Sequence, residues 1–195
     1  MIIVVQASLL VLAGGDSRRM GRPKAWLAVG GGTLLRYVVQ RLAPEFSEVI
    51  ISFAEPEQLL EPVPYRIVFD RKVSAGPLAG LEAGLEAAKQ DLVFAIACDM
   101  PYVTPEVAQL AVAAARGSDA AIPRIEGRAE PACGAYARSA LPTITRALNE
   151  GRFRAADVAA ELDVIWLEGL DPGLFRSLNA PADLERFNAE LSAQR

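Results

Sequence analysis

The chain contains no histidine, and this absence removes two classes of chemistry. Catalytic triads that use an imidazole base are excluded, and so are most transition-metal sites. The only two cysteines, Cys98 and Cys133, have a spacing that matches no zinc-binding pattern, and we expect both to be free, buried thiols. Chemistry is therefore left to the acidic and basic side chains.

The sequence also lacks a surplus of positive charge. Its 20 lysines and arginines are outnumbered by 24 aspartates and glutamates, which gives a net charge of −4. General nucleic-acid binders usually carry a basic surplus, so this balance argues against that class and predicts no nucleic-acid partner. A hydrophobic fraction of 52% and a length of 195 residues predict a globular chain with a single domain over residues 1–195.

No apolar run in the sequence is long enough to span a bilayer. The N-terminal stretch MIIVVQASLLVLAGG is interrupted by Gln6 and Ser8, and it lacks the positively charged start of a secretion signal. We therefore expect a buried first strand, a cytoplasmic protein and no contact with a membrane.

Short apolar runs alternate with helical patterns along the chain. Strands are predicted at 8–13, 48–53, 65–69, 92–97, 119–123, 132–137 and 163–167, and helices at 33–43, 77–89, 104–117, 138–150, 156–162 and from 181 onwards. Thr33 and Thr104 are expected to cap two of these helices. The alternation predicts an α/β fold in which a mostly parallel sheet lies between two layers of helices.

The loop after the first predicted strand combines glycines with basic residues. Its sequence, LAGGDSRRMGRPK (12–24), includes Arg18, Arg19 and Lys24. Glycine lets backbone N–H groups approach phosphate oxygens, and basic side chains neutralise phosphate charge. The loop contains neither a P-loop nor a G-x-G-x-x-G motif, so by itself it leaves open both a phosphate cradle and a solvated basic turn.

Two further segments are expected at the same edge of the sheet, because ligands of open α/β sheets lie beyond the carboxyl ends of the strands. Asp70 and SAGPLAGL (74–81) follow one predicted strand, and CDMP (98–101) follows another. Taken alone, Asp99 fits both a magnesium ligand and the cap of a turn.

Together these motifs resemble those of the molybdenum cofactor guanylyltransferases, which belong to a wider nucleotidyltransferase group with a Rossmann-like fold. The loop 12–24 is similar to the family signature L-A-G-G-x-S-x-R-M-G-x-x-K, and GPLAGL (76–81) is similar to its second glycine motif. CDMP looks like the segment that carries the metal-binding acid. EPACGAYARSALPTI (130–144) and SLNAPADLERF (177–187) resemble two later elements, so the resemblance covers almost the whole chain.

The resemblance implies transfer of GMP from GTP to the phosphate of molybdopterin, with Mg²⁺ as the cofactor and pyrophosphate as the second product. The implied catalytic residues are charged, and Asp99 would also be the metal ligand: Arg19, Lys24 and Asp99. The implied substrate-binding residues surround the nucleotide: Leu12, Ala13, Gly14, Gly15, Lys24, Asp70, Gly76, Gly80, Asp99 and Asn179. The implied partners are GTP and molybdopterin or the molybdenum cofactor, and cofactor-biosynthesis or acceptor proteins are further candidates.

Glycines recur every fourth residue from 76 to 84, which places them on one face of a helix. We predict close packing of the helix on the sheet for Gly84. Gly76 and Gly80 are predicted nearer the ligand, where a missing side chain makes room for base or ribose. From its position near the predicted turn 126–128, Arg128 is a candidate for contact with the pterin.

The sequence departs from the family pattern in two segments, and three other functions stay open. Ser177 replaces the first asparagine of the last element, and Arg22-Pro23 lie where members often have a glycine or an acid. The related cytidylyltransferases read L-A-A-G in the first loop and lack GPLAGL, so the Gly14-Gly15 pair and the intact GPLAGL favour guanine. Sugar-phosphate nucleotidyltransferases are usually longer and read G-x-G-T-R-L there. The third alternative is a nucleotide-binding module without catalysis, and the presence of Lys24 and Asp99 argues against it.

Overall fold

A computed structural model describes residues 5–15, 22–72 and 75–193 of the chain. The strands in these ranges are β1 (Val5–Leu12), β2 (Ala28–Val29), β3 (Gly32–Thr33), β4 (Phe46–Phe53), β5 (Arg66–Phe69), β6 (Leu92–Ala97), β7 (Ala120–Ile125), β8 (Arg128–Ala129), β9 (Cys133–Ala137) and β10 (Val164–Leu167). The α-helices are α1 (Leu34–Leu42), α2 (Pro77–Ala87), α3 (Pro105–Ala114), α4 (Leu141–Asn149), α5 (Ala155–Ala159) and α6 (Pro181–Ala193).

The large sheet is mixed but mostly parallel. In the described part of the chain its strand order is β10-β7-β9-β6-β1-β4-β5, with β8 as a short partner of β7. β1 runs parallel to β4 and β6, and β4 runs parallel to β5, whereas β9 is antiparallel to both β6 and β7. A separate small hairpin joins β2 and β3.

Both faces of the sheet are buried under helices. Leu9 and Val11 of β1 point into one core with α1, α3 and α6, and Leu10 and Leu12 point into a second core with α2, α4 and α5. A strand covered on both faces needs apolar side chains at successive positions, which is why the runs in β1 and β6 are continuous rather than alternating. The predicted α/β class with a mostly parallel sheet and two helical layers is confirmed.

The helix ends agree with the sequence in part. Thr33 caps α1, since its side-chain oxygen accepts a hydrogen bond from the backbone N–H of Arg36 at 3.2 Å. Thr104 occupies the N-cap position of α3, as predicted, but its side chain makes no capping hydrogen bond. α3 ends at Ala114, before Gly117, which has a φ of 86°.

Short elements account for most differences from the predicted pattern. The predicted helix 138–150 begins as a 3-10 turn, Arg138–Ala140, and becomes α4 only at Leu141. The predicted turn 126–128 is a tight hairpin that returns as β8, with a φ of 50° at Glu126 and 78° at Gly127. None of the helices in the described ranges has the length and apolar character that crossing a bilayer requires.

Candidate active site

The carboxyl ends of four neighbouring strands meet at one edge of the sheet. Leu12 at the end of β1 pairs with Ser52 of β4 on one side and with Ala97 of β6 on the other. The loops that follow these strands enclose a cleft of about 720 Å³, a size typical of small-molecule sites. The lining residues in the described ranges are Leu12, Gly14, Gly15, Lys24, Ser52, Ala54, Glu55, Gln58, Asp70, Gly76, Pro77, Gly80, Ala97, Cys98, Asp99, Met100, Glu130, Ala132 and Ser177.

An ammonium group and a carboxylate meet in this cleft. The Nζ atom of Lys24 lies 2.5 Å from Oδ2 of Asp99 and 2.7 Å from Oδ1 of Asn179. The side chains of Lys24 and Asp99 are only 12% and 18% exposed, so water screens their attraction less than at a protein surface. The backbone N–H of Leu178 also donates to the carbonyl of Asp99 at 2.8 Å. Three segments that are distant in sequence are therefore joined at one point.

The position of Lys24 depends on a buried tryptophan two residues later. Lys24 begins a short 3-10 turn, Lys24–Trp26, and the indole of Trp26 lies nearly parallel to the ring of Phe53, with centroids 6.1 Å apart. Trp26 Nε1 donates to the carbonyl of Gln58 at 2.6 Å, and Gln58 Oε1 accepts from the N–H of Ala54 at 3.0 Å. Trp26 packs in the core and so anchors the turn that begins at Lys24.

The turn that carries Asn179 is held by an aspartate. Oδ2 of Asp183 accepts hydrogen bonds from the backbone N–H groups of Asn179 at 3.0 Å and Ala180 at 2.9 Å. Arg186 lies 2.7 Å from the other carboxylate oxygen. The hydrogen bond from Asn179, followed by that from Ala180, lowers the pKa of Asp183 from its ordinary value. Asp183 is therefore ionised at neutral pH and stabilises this turn.

A second carboxylate, Asp70, lies at the other side of the cleft. Ser52 is buried and donates its hydroxyl hydrogen to Oδ1 of Asp70 at 2.8 Å, and the backbone N–H of Asp70 donates to the carbonyl of Phe53. Burial raises the pKa of Asp70 to about 6, although the hydrogen bond from Ser52 opposes the increase. Asp70 is therefore mostly ionised at pH 7, but its charge is poorly hydrated.

The glycines of the cleft serve different purposes. A Cβ atom on Gly14 would lie 2.5 Å from the backbone nitrogen of Ala54, so this position allows two backbone segments to approach. Gly76 precedes α2 with a φ of 66° and a ψ of −159°, a conformation that is essentially restricted to glycine. Gly84 packs on the sheet as predicted, since its Cβ would lie 2.2 Å from Leu10 Cδ2.

Gly80 lines the cleft, and neighbouring protein side chains fill the space that a Cβ atom on this residue would occupy. A Cβ atom there would lie 2.9 Å from both Leu12 Cδ2 and Ser52 Oγ, and 3.4 Å from Asp70 Oδ1. The missing side chain at this position therefore makes room for the Ser52–Asp70 pair, and the predicted room for base or ribose stays a prediction.

The structure gathers most of the residues that the sequence singled out. Those lining the cleft are Leu12, Gly14, Gly15, Lys24, Asp70, Gly76, Gly80 and Asp99. Ala13 is not among them, because it is buried and its N–H donates to the carbonyl of Ser52. Asn179 contacts Lys24 rather than lining the cleft. Arg18 and Arg19 lie outside the described residues, so the role of Arg19 stays a prediction.

Sequence reasoning missed several residues that line the cleft. Ser52 had a weak signal, as the polar residue near the end of the apolar strand β4. Gln58 had none, because a single polar side chain in a loop has no characteristic spacing. Glu130 was included only as the first residue of the segment 130–144, without a role of its own. Cys98 also lines the cleft, but burial raises the pKa of its thiol above the ordinary value, which keeps it protonated. Cys98 and Cys133 are both free and buried, as predicted.

The family comparison matches most of the chain. Residues 9–164 match the model of the MobA-like NTP transferase domain. The chain is 38% identical to the probable molybdenum cofactor guanylyltransferase of Methanosarcina mazei, over 92% of this chain and 89% of the relative. It is 33% identical to the molybdenum cofactor guanylyltransferase of Cereibacter sphaeroides, over 93% of this chain and 95% of the relative.

Solved structures show the same architecture. The crystal structure of molybdopterin-guanine dinucleotide biosynthesis protein A from Archaeoglobus fulgidus superposes with a TM-score of 0.83 at 26% identity, covering 95% of this chain and 99% of that one. The 2-C-methyl-D-erythritol 4-phosphate cytidylyltransferase from Thermus thermophilus has a TM-score of 0.74 at 23% identity, over 96% of this chain and 100% of that one. The second likeness is one of fold alone.

Proposed function

The chain belongs to the MobA-like NTP transferase family, and on this premise we propose that it transfers GMP from GTP to the phosphate of molybdopterin and releases pyrophosphate. The observation that carries the proposal is the Lys24–Asp99 pair in the cleft, with a separation of 2.5 Å. It supplies a cation for phosphate oxygens and a carboxylate for a metal ion at the edge where ligands of open α/β sheets bind.

The reaction needs charge neutralisation and positioning more than proton transfer. A phosphate oxygen of molybdopterin attacks the α-phosphorus of GTP, and the bond from that phosphorus to the bridging oxygen breaks, so pyrophosphate leaves with the electron pair. The attacking phosphate is largely ionised at pH 7, since its second pKa is about 6. No histidine base is required, which suits a chain without histidine. Lys24, together with Arg19, would stabilise the charge that builds up on the departing pyrophosphate.

The residues present fit a magnesium ion. Asp99 presents its carboxylate to the cleft with 18% of the side chain exposed. Mg²⁺ usually takes one or two protein carboxylates and completes its coordination with phosphate oxygens and water, so Asp99 would hold it without a cage of protein ligands. When bound, the ion would neutralise charge on the phosphates.

The nucleotide would lie along the end of β1 and the start of α2. The segment Leu12 to Gly15 would present its backbone to GTP, and the open space at Gly15 and Gly76 would admit it closely. Asp70 would contact the nucleotide at the far side of the cleft from β6. The proposed partners are therefore GTP and molybdopterin, and the proteins that deliver or receive the cofactor.

A nucleotide-preference assay tests the proposed function. Pyrophosphate release is measured with molybdopterin and Mg²⁺, using GTP or CTP, and we expect turnover with GTP. A preference for CTP would contradict the guanine assignment. Tight GTP binding without turnover on any nucleotide would favour a non-catalytic binding module.

A matched pair of variants tests the metal site. Asp99→Ala is expected to lose Mg²⁺-dependent turnover while keeping its circular dichroism spectrum. Asp91→Ala removes the same charge at the amino end of β6, where the side chain is 95% exposed, and should keep activity. An active Asp99→Ala enzyme would remove Asp99 from the metal site.

A further inference from the structure

A further acidic residue, Glu130, lines the cleft and has no part in the proposed transfer of GMP. It lies between β8 and β9, and its backbone is fixed on both sides. Its N–H donates to the carbonyl of Pro123 at 2.9 Å, and its carbonyl accepts from the N–H of Cys133 at 2.9 Å. The Glu130 side chain therefore extends from a defined turn.

The Glu130 carboxylate is partly buried where it lines the cleft. Burial raises its pKa, and the positive charge of Arg128 opposes that increase. Among residues 5–15, 22–72 and 75–193, no side chain or backbone N–H donates to this carboxylate. A partly desolvated carboxylate without donors is unfavourable, and a ligand that brings N–H groups relieves this cost.

Glu130 and Asp70 lie on opposite sides of the Lys24–Asp99 pair. The strand order β9-β6-β1-β4-β5 places Glu130, before β9, and Asp70, after β5, four strand spacings apart, or roughly 19 Å at about 4.8 Å each. Asp99, which follows β6, lies between them with Lys24. A molecule with phosphates in the centre and a ring at each end matches this arrangement.

The two substrates of the proposed reaction carry the same donor edge. Guanine and the pterin ring both contain a 2-amino-4-oxopyrimidine unit, in which a ring N–H and an amino N–H lie side by side. A carboxylate can accept both hydrogen bonds at once, and hydrogen bonds to a charged acceptor are the stronger kind. Each ring would therefore be bound well by a carboxylate at its own end of the cleft.

We propose that Glu130 binds the 2-amino-4-oxo edge of the pterin, so that the second substrate lies on the β9 side of the Lys24–Asp99 pair. The inference rests on the proposed function, because it uses a reaction in which two phosphates meet at the centre. The glycine-rich segments surround the β1, β4 and α2 side, where Gly14 lies against Ala54. The β9 side is left for the acceptor substrate, and Arg128 on the adjoining strand lies near it.

Steady-state kinetics of Glu130→Gln test the assignment. The amide offers one acceptor and turns a donor toward the substrate, so the KM for molybdopterin should rise about tenfold or more while the KM for GTP changes less than about twofold. Glu126→Gln is the matched control, since this exposed residue lies in the neighbouring hairpin turn and should change neither KM. An unchanged molybdopterin KM in Glu130→Gln, or an increase confined to GTP, overturns the proposal.

A binding measurement separates this inference from the proposed function. The unmodified protein and Glu130→Gln are titrated calorimetrically with 6-hydroxymethylpterin phosphate, and we expect binding at least about tenfold weaker in the variant. Equal affinities overturn the assignment of Glu130 even if GMP transfer is confirmed. If the enzyme instead prefers CTP, the guanine assignment fails while a weakened pterin affinity still supports Glu130.

Discussion

Lys24 and Asn179 are 155 positions apart in the chain, yet Asn179 Oδ1 lies 2.7 Å from the Lys24 ammonium. This contact indicates that Asn179 acts through Lys24, whereas the family resemblance implies a direct contact with substrate. A double-mutant cycle on Mg²⁺·GTP affinity separates the two roles. We expect Lys24→Met to weaken binding strongly and Asn179→Ala to weaken it several-fold.

The informative measurement is the effect of Asn179→Ala in the Lys24→Met background. If Asn179 positions the ammonium, removing it after Lys24 has gone should change the titrated affinity by less than about twofold. Asn179→Asp keeps an acceptor oxygen and should retain most of the affinity of the unmodified protein. Additive losses in the double variant would show that Asn179 contacts the nucleotide independently.

The raised pKa of Asp70 predicts that its ionised carboxylate lowers stability above pH 6, although the proposed nucleotide contact uses this charge. Its pKa is raised to about 6 in the folded protein from an ordinary value of 3.8, so the folded state binds more protons between these values. The free energy of unfolding therefore falls as pH rises through this window, and the loss is complete above pH 6. Asp70→Asn should raise stability at pH 8 by roughly 1 kcal/mol, which allows for partial solvent screening, and give no gain below pH 4.

Thermal unfolding of both proteins across pH 4–8 measures this difference, because the other titrating groups cancel. The same variant should bind GTP more weakly, since the proposed nucleotide contact loses its charge. A stability difference that does not change with pH would mean that Asp70 is not the desolvated carboxylate described here.

Helix α2 contains two glycines, Gly80 and Gly84, whose replacement by alanine should have different effects. Gly84→Ala would push Leu10, so we expect a loss of about 1–2 kcal/mol after allowing for the helix propensity of alanine, with GTP affinity unchanged. Gly80→Ala would press on Ser52 and Asp70, so it should weaken GTP binding. Denaturant unfolding and GTP titration of each variant distinguish the two. Leu10→Ala is the control background, in which Gly84→Ala should no longer destabilise.

Elements with strong patterns were predictable from sequence, and short ones were not. β1 and β6 are buried on both faces, so their apolar runs stand out, and Thr33 followed by an amphipathic stretch identified α1. The two-residue strands β2, β3 and β8 are shorter than any period that a sequence can display. The 3-10 start at Arg138 has the composition of a helix, so its different hydrogen bonding left no signal.

In the candidate site, too, residues that belong to motifs were predictable and isolated ones were not. Asp99 and Lys24 were found because each belongs to a motif, and topology brought together the segments that follow β6 and β1. The pairing of Lys24 with Asn179 depends on the path of the chain between β10 and α6, which composition does not reveal. Ser52 became visible only through its neighbours in space, and the place of Glu130 in the segment 130–144 did not reveal that this residue lines the cleft.

The candidate site joins Lys24, early in the chain, to Asn179, which lies just before the last helix. β1 supplies the centre of the sheet, and α6 closes over one face with Phe187, whose ring lies 5.2 Å from that of Tyr37 and 4.9 Å from that of Tyr102. Both cores share the strands of one sheet. We propose on this basis that the chain folds as a single domain, so that loss of the C-terminal segment would also remove the hydrogen bond between Lys24 and Asn179.

A single domain predicts one cooperative unfolding transition. By calorimetry, a chain of 195 residues should unfold with an enthalpy of roughly 140 kcal/mol near 60 °C, and the van't Hoff enthalpy should equal the calorimetric one. Mg²⁺·GTP at about 100 times its Kd should shift the whole transition upward by roughly 2.7 kcal/mol of stabilisation, because it binds only the folded state. Two resolved transitions, or a shift of only part of the profile, would show that the nucleotide site belongs to a unit that unfolds separately from the rest.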